Sequence, residues 1–241
     1  MPDLDENAAY WDGGFHWRHR GDEWSAWWGT PEAEWRATIY PRIEEFLPVR
    51  LLLEIAPGYG RWTQFLRHEC ERLVGIDLSS KCVRACRRRF WRDRRLRFHV
   101  NDGKSLRAVD DETVDFAFSF DSLVHVEADV MDEYVAELAR VLRPDGVAFL
   151  HHSNMAAYPA EEVGPKIPHW RSGSVSGESI AELASGLGLS CFKQELIGWG
   201  DEHPFLNDAL SWIARAGSPH DRPREIVRNE HFMDEARRVG V

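Results

Sequence analysis

No stretch of this 241-residue chain stays apolar long enough to cross a bilayer, which argues against membrane insertion. The first residues, MPDLDENAAYW, are acidic rather than basic and then apolar, so no secretory signal is visible. Cysteine is scarce. Its four positions, Cys70, Cys82, Cys86 and Cys191, fit no zinc spacing, and the first three fall on one predicted helical region. They read as reduced thiols of a cytoplasmic protein. Internal repeats and low-complexity linkers are missing. So is any overall excess of positive charge: the formal net charge of −10 argues against nucleic acid as the main partner.

What is present is the composition of a globular domain, with 43% hydrophobic and 29% charged residues, enough for one sizeable core. Tryptophan is abundant, with eleven residues, and Trp11, Trp17, Trp24, Trp27 and Trp28 crowd the N-terminus with Trp35 close behind. Residues 1–29 are therefore expected to be an irregular aromatic cap, a candidate lid. Their apolar surface either folds back on its own domain or serves a homodimer. The segment 82–97, CVRACRRRFWRDRRLR, is locally very basic. It is either a solvated helix face or a patch for an anionic partner.

The remaining pattern predicts alternating strands and helices in a single α/β domain. Residues 30–152 would form its core, and residues 153–241 acceptor-side loops and C-terminal strands. Thr30-Pro31-Glu32 has the signature of a helix start, and that helix is expected to run to Leu47. Strands are predicted at 51–55, 73–76, 96–100, 114–120 and 147–151. Helices should begin near Gly60 and Ser79, with others at 129–142 and 176–187. Crossovers of this kind make a parallel, Rossmann-like doubly wound sheet with ligands at the carboxyl ends of the strands.

The most telling stretch is Leu51–Trp62, LLLEIAPGYGRW, followed by Leu73-Val74-Gly75-Ile76 and Asp77. A strand, a glycine turn, a helix, a second strand and a carboxylate are how a nucleotide-like cofactor is held. A dinucleotide site would show G-x-G-x-x-G against its pyrophosphate. Here A-P-G-Y-G leads into Arg61 and Trp62, so a cofactor without pyrophosphate is expected. At these residues the chain resembles the class I S-adenosylmethionine-dependent methyltransferases, whose first motif reads roughly E-x-G-x-G-x-G. The likeness spans about Trp35 to Leu150 and departs from the pattern at Ala56, which replaces the first glycine.

The resemblance implies S-adenosylmethionine as cofactor, and a late strand hairpin inserted antiparallel into the sheet. Glu54 would meet backbone donors or the cofactor's ammonium, and Asp77 the ribose hydroxyls. Asp102 would lie near the adenine amino group beside Gly103. Phe120 and Asp121 close the fourth strand, and Ala56, Gly58, Gly60 and Leu78 complete the rim. Such a collection of acids suits a cofactor that carries both a sulfonium and an ammonium.

Methyl transfer to a hydroxyl also wants a base or a Lewis acid. His125, His151 and His152 are the candidates. Successive strand residues face opposite ways, so only one of the last two can enter the cleft, and His152 is preferred. Mg2+ held by carboxylates is the competing device, with Asp121 and Glu195 as candidates and Asp201 and Asp208 as further acids that could converge, though their spacing shows no fixed ligand pattern. His169, Trp170 and Arg171, in HWRSGSVS, are candidate acceptor contacts.

Among methyltransferases, the similarity is nearest to those of bacterial polysaccharide and glycoconjugate pathways, carried by EIAPGYGRWTQFL, LVGIDLSSKCVRACRRRF, HHSN, HWRSGSVS and QELIGWG. It implies O-methylation of a carbohydrate acceptor. The alternative is a small-molecule acceptor of secondary metabolism: an amine, a phenol or an antibiotic sugar. An open groove would favour the oligosaccharide, a closed apolar pocket the small molecule.

Overall fold

The computed structural model describes residues 3–163, 171–200 and 205–239. Among the described residues eight strands form one sheet in the order β3-β2-β1-β4-β5-β7-β6-β8. They are β1 (Val49–Ile55), β2 (Cys70–Asp77), β3 (Leu96–Val100), β4 (Val114–Leu123), β5 (Leu142–Ser153), β6 (Leu189–Ile197), β7 (Asp208–Arg215) and β8 (Glu225–Asn229). The helices are α1 (Leu4–Ala9), α2 (Pro31–Glu34), α3 (Tyr40–Ile43), α4 (Thr63–Leu66), α5 (Ser80–Arg89), α6 (Ala128–Val141), α7 (Ala160–Val163), α8 (Gly177–Gly186) and α9 (Asp234–Val239).

All strand pairs are parallel except β5–β7 and β6–β7, so β7 alone runs against the rest. The expected Rossmann-like architecture with a late antiparallel hairpin is what the chain adopts. The eighth strand, β8, which pairs parallel to β6 at the sheet edge, is an addition that the sequence pattern did not suggest.

Strand order reverses between β1 and β4, and that switch point opens a crevice at the carboxyl ends of both strands. Alternation along the strands divides the core between two faces. One face is aromatic: Leu52, Phe116, Phe118, Phe149 and Trp212 pack with Trp28, Trp35 and Trp62. The other is aliphatic: Leu53, Ile55, Ala148, Leu150 and Ile213 pack with α6 and α8 through Val135, Leu138 and Ile180.

Several local expectations need correction. The helix predicted from Thr30 to Leu47 is broken into α2, a π turn at Trp35–Ile39, α3 and a 3-10 turn at Glu44–Phe46. Pro41 has no N–H for the helical ladder, and the wide turn ahead of it absorbs the gap. Cys70 lies at the start of β2, not on a helix with Cys82 and Cys86. The strand predicted to stop at Phe120 continues to Leu123 through a register shift. The N-terminal segment is less irregular than expected. It holds α1, whose Asp3–Glu6 capping box closes its first turn, a π turn at Tyr10–Gly14, and a 3-10 turn at Asp22–Trp28.

Candidate active site

After β1 the chain turns through Ala56 (φ +55°), Gly58 (φ +57°) and Gly60 (φ +83°). A Cβ on Gly60 would sit 2.5 Å from the Phe90 ring, so only glycine fits there. At Gly58 a Cβ would meet the Trp17 indole at 3.0 Å. Behind this turn Asp77, ending β2, accepts the Gly58 N–H at 2.9 Å and the Ser79 N–H at 2.8 Å. Burial pushes its carboxyl up to about 7.

Asp77, Ala56, Gly58, Leu78, Gly103, Phe120 and Asp121 all line one cavity, with about 990 Å³ of empty space including its mouth. The roof comes from the N-terminal segment: Leu4, Asn7, Trp11, Trp17 and Trp24. Trp17 stacks on Tyr59 with ring centroids 4.5 Å apart and planes 9° from parallel. Asp12 clasps the start of α5, accepting hydrogen bonds from the Ser79 and Ser80 hydroxyls and, at 3.1 Å, from the Lys81 N–H. Lys81 Nζ in turn donates to the Phe15 carbonyl at 3.2 Å.

On the far side of the crevice Arg61 and Asp121 form an ion pair of 2.7 Å, both largely buried. Arg61 also lies over the Trp62 ring, 4.4 Å from its centroid, and its Nη1 is 3.9 Å from Glu34. Glu34 is fully buried, and that burial raises its carboxyl to about 8 against the lowering pull of Arg61.

The candidates from sequence separate into those at the cavity and those away from it. Glu54 faces the aromatic core instead, with Oε2 accepting the Thr63 hydroxyl at 2.5 Å, and burial raises it to about 8. Gly60 shapes the turn from behind. Asp102 is exposed; its Oδ1 accepts the Ser105 and Lys104 N–H groups of its own turn, and it borders a separate depression beside His99 and Arg107. Neighbouring Gly103 is the residue that reaches the main cavity.

His152 is corrected as base. It points to the aliphatic face, is fully buried, and has Nε2 2.8 Å from the Ser211 hydroxyl and Nδ1 2.8 Å from the Ser153 carbonyl. Burial lowers its pKa to about 4. His151 takes the aromatic face but does not line the cavity; it bridges Asp121 and Asp208. His125 does line it, with its ring 6.2 Å from that of Trp11.

Arg171 is buried in an ion pair with Asp208 rather than presented to an acceptor. His169 and Trp170 lie outside the described residues. The suggested Mg2+ pair does not converge: Asp121 is held by Arg61, whereas Glu195 is gripped by Arg42 at 2.7 Å and by Asn229. Against the upward push of burial, Arg42 keeps the Glu195 carboxyl below its ordinary value. Among the described residues no three His, Cys, Asp or Glu side chains gather as a metal site would need.

Sequence reasoning missed Arg61, Glu34 and the roles of Leu4 and Asn7, and it took Asp208 for a metal-facing acid, whereas Asp208 pairs with Arg171 and His151; Asp201 lies outside the described residues. Arg61 directly follows the glycine turn, and that position was a usable signal. The partners of the others arrive from distant segments and leave no local pattern.

Residues 53–150 match the family model of the methyltransferase domain. The chain is an S-adenosylmethionine-dependent methyltransferase. No curated protein matches it. Among solved structures, the enzyme is similar to geranyl diphosphate C-methyltransferase from Streptomyces coelicolor A3(2), at 16% identity and TM-score 0.63, over 90% of this chain and 98% of that one. It is also similar to magnesium protoporphyrin IX methyltransferase from Synechocystis PCC 6803, at 14% identity and TM-score 0.61, over 89% and 100%. A protein from Pyrococcus horikoshii OT3 aligns at 22% identity and TM-score 0.59, over 78% and 93%. At these identities the likeness is one of fold.

The residues present fit the cofactor that the family uses. A buried carboxylate at the end of β2 faces the cavity, and a glycine turn with left-handed backbone lets the main chain approach closely. Among the described residues, no helix of the methyltransferase is long and apolar enough to cross a membrane.

Proposed function

We propose that the enzyme methylates a hydroxyl on a small, flat-faced acceptor, a single sugar ring or a phenol, enclosed beneath the tryptophan cap. The observation that carries this reading is one shared cavity. Trp11, Trp17 and Trp24 from the cap, Trp62 and Phe120 from the sheet side, and His125 line the same space as Gly58 and Asp77. Flat indole faces suit stacking against a ring. A cap clasped across the crevice leaves less room for a long polysaccharide than the open groove such an acceptor needs.

In this reading Asp77 accepts the two ribose hydroxyls, and Gly58 and Ala56 bring the main chain against the nucleoside. The Arg61–Asp121 pair faces the amino-acid end, its guanidinium for a carboxylate and its carboxylate for an ammonium. Bound there, S-adenosylmethionine supplies an electrophilic methyl group that carries its own leaving group. The cap keeps water out and limits the orientations of the acceptor. His125 takes the hydroxyl proton as the oxygen becomes nucleophilic.

Transfer of a labelled methyl group to panels of monosaccharides, phenols, small amines and oligosaccharides tests the acceptor class. Incorporation into single-ring hydroxyl compounds is expected; transfer confined to amines or to long glycans overturns the proposal. His125→Ala should lower turnover by roughly 100- to 10,000-fold and leave S-adenosylhomocysteine affinity unchanged.

A further inference from the structure

Asp208 opens β7, the one reversed strand, and is fully buried, as is His151 across the sheet on β5. Arg171 is 3% exposed and approaches the same carboxylate. Its Nε lies 3.0 Å from Oδ1, and its Nη2 donates to Oδ2 at 2.7 Å. His151 Nε2 lies 3.0 Å from Oδ2. On the other edge of the imidazole, Nδ1 accepts the main-chain N–H of Asp121 at 3.1 Å.

A main-chain N–H can only donate. Nδ1 therefore carries a lone pair, the ring proton sits on Nε2, and Asp208 accepts it. This matters because Asp121 is a non-glycine residue with φ +57°. That left-handed conformation is disfavoured for a residue with a Cβ, and surrounding contacts must hold it. Two contacts do so: His151 on its N–H and Arg61 on its carboxylate.

We infer that Arg171, Asp208 and His151 form a positioning relay that fixes the main chain of Asp121, and through it the Arg61–Asp121 pair at the cavity. None of the three lines the cavity, so each acts through another residue. Arg171 keeps Asp208 ionised and aimed, Asp208 selects the tautomer of His151, and His151 leaves Nδ1 free to hold Asp121. Without the carboxylate the imidazole can carry its proton on Nδ1. Two donors would then face each other at Asp121, and the strained turn would relax. This inference rests on the reading that the cofactor binds in this cavity.

The test compares the intact enzyme with His151→Asn, His151→Leu and Asp208→Asn, measuring S-adenosylhomocysteine affinity by calorimetry alongside thermal unfolding. Asparagine places an amide oxygen near the former Nδ1 and can still accept the Asp121 N–H; leucine cannot. Both remove the link to Asp208, so a purely structural role predicts equal effects on binding. The relay predicts that His151→Leu weakens affinity by about tenfold, that His151→Asn stays within about threefold of the parent, and that Asp208→Asn resembles the leucine variant. Equal affinities for the two His151 variants, or an unchanged affinity in His151→Leu, overturn it.

Nitrogen-15 spectra of the unmodified protein give an answer that needs no variant to fold. His151 protonated on Nε2 alone is expected, and a proton on Nδ1 overturns the relay. If the parent enzyme itself fails to bind S-adenosylhomocysteine, the cofactor reading falls, while the spectra still judge the relay.

Discussion

The two banks of the crevice hold their charges in different ways. On the β2 bank, Asp77 is satisfied by the N–H of Gly58 in the adjacent turn and of Ser79 two residues on. On the β4 bank, Asp121 is held by Arg61 and by His151, and behind His151 stand Asp208 and Arg171. The first bank is built from main-chain donors that exist wherever the backbone takes this path. The second is built from side chains contributed by β1–α4, β5, β7 and the segment that precedes α8. A main-chain cradle tolerates exchange of most side chains around it; a side-chain chain of contacts fails when one member is lost.

That contrast can be broken most strongly at Arg61. Replacing it with Met leaves Asp121 buried without its cation, and a loss of about 3–5 kcal/mol in urea unfolding is expected. A loss below about 1 kcal/mol would mean that the two banks are equally tolerant.

Next comes Glu34, which burial holds at about 8 against an ordinary 4.5. The folded state binds this proton more tightly than the unfolded state. Its contribution is therefore full below about pH 4.5 and is lost as pH rises through 8. Glu34→Gln should flatten the fall in stability between those limits by an amount on the order of a few kcal/mol, seen in denaturant melts across pH. An unaltered pH profile would show that Glu34 is ionised at neutral pH.

On the β2 bank, Gly60→Ala drives a Cβ into Phe90 at 2.5 Å and forces φ +83° on alanine. About 2–3 kcal/mol of destabilisation is expected. Gly188→Ala, at φ +73° with nothing within 4 Å, should lose only about 1 kcal/mol and isolates the backbone part of that effect.

Asp77→Ala should weaken S-adenosylhomocysteine binding by about 1.5–3 kcal/mol in calorimetry while disturbing the fold less than Arg61→Met does. The smallest effect belongs to Asp12→Ala. Ser79 still caps α5 there, so losing the Asp12 contacts to Ser79, Ser80 and Lys81 should cost about 0.5 kcal/mol and speed amide exchange in the Trp11–Trp24 segment.

The same contrast explains what was legible in the sequence. Glycine turn, strand-end acid and crossover spacing are local patterns, so β1 to β5, the sheet class, Gly58 and Asp77 could be read directly. The resemblance added the antiparallel hairpin. The parity argument for His151 and His152 was sound, since they do face opposite sides. Its choice failed because the register of β5 between β4 and β7 turns His152, like Ala148 and Leu150, to the aliphatic face, where it meets Ser211, 59 positions away. In the sequence Asp208 and Glu195 are only acids that could face a metal, with strand-edge polarity as the other reading of Glu195. Only the assembled sheet brings the first to His151 and the second to Arg42. The broken helix after Thr30 was foreseeable from Pro41, but the strong start signature of Thr30, Pro31 and the acids after them masked that signal.

β7 is reversed, so it delivers its first residue, not its last, to the rim of the crevice. During synthesis the glycine turn, Asp77 and even His151 leave the ribosome well before their final partner. The glycine turn and its Asp77 contacts can thus form early, yet the β4 bank stays unlatched until Asp208 emerges and the hairpin docks.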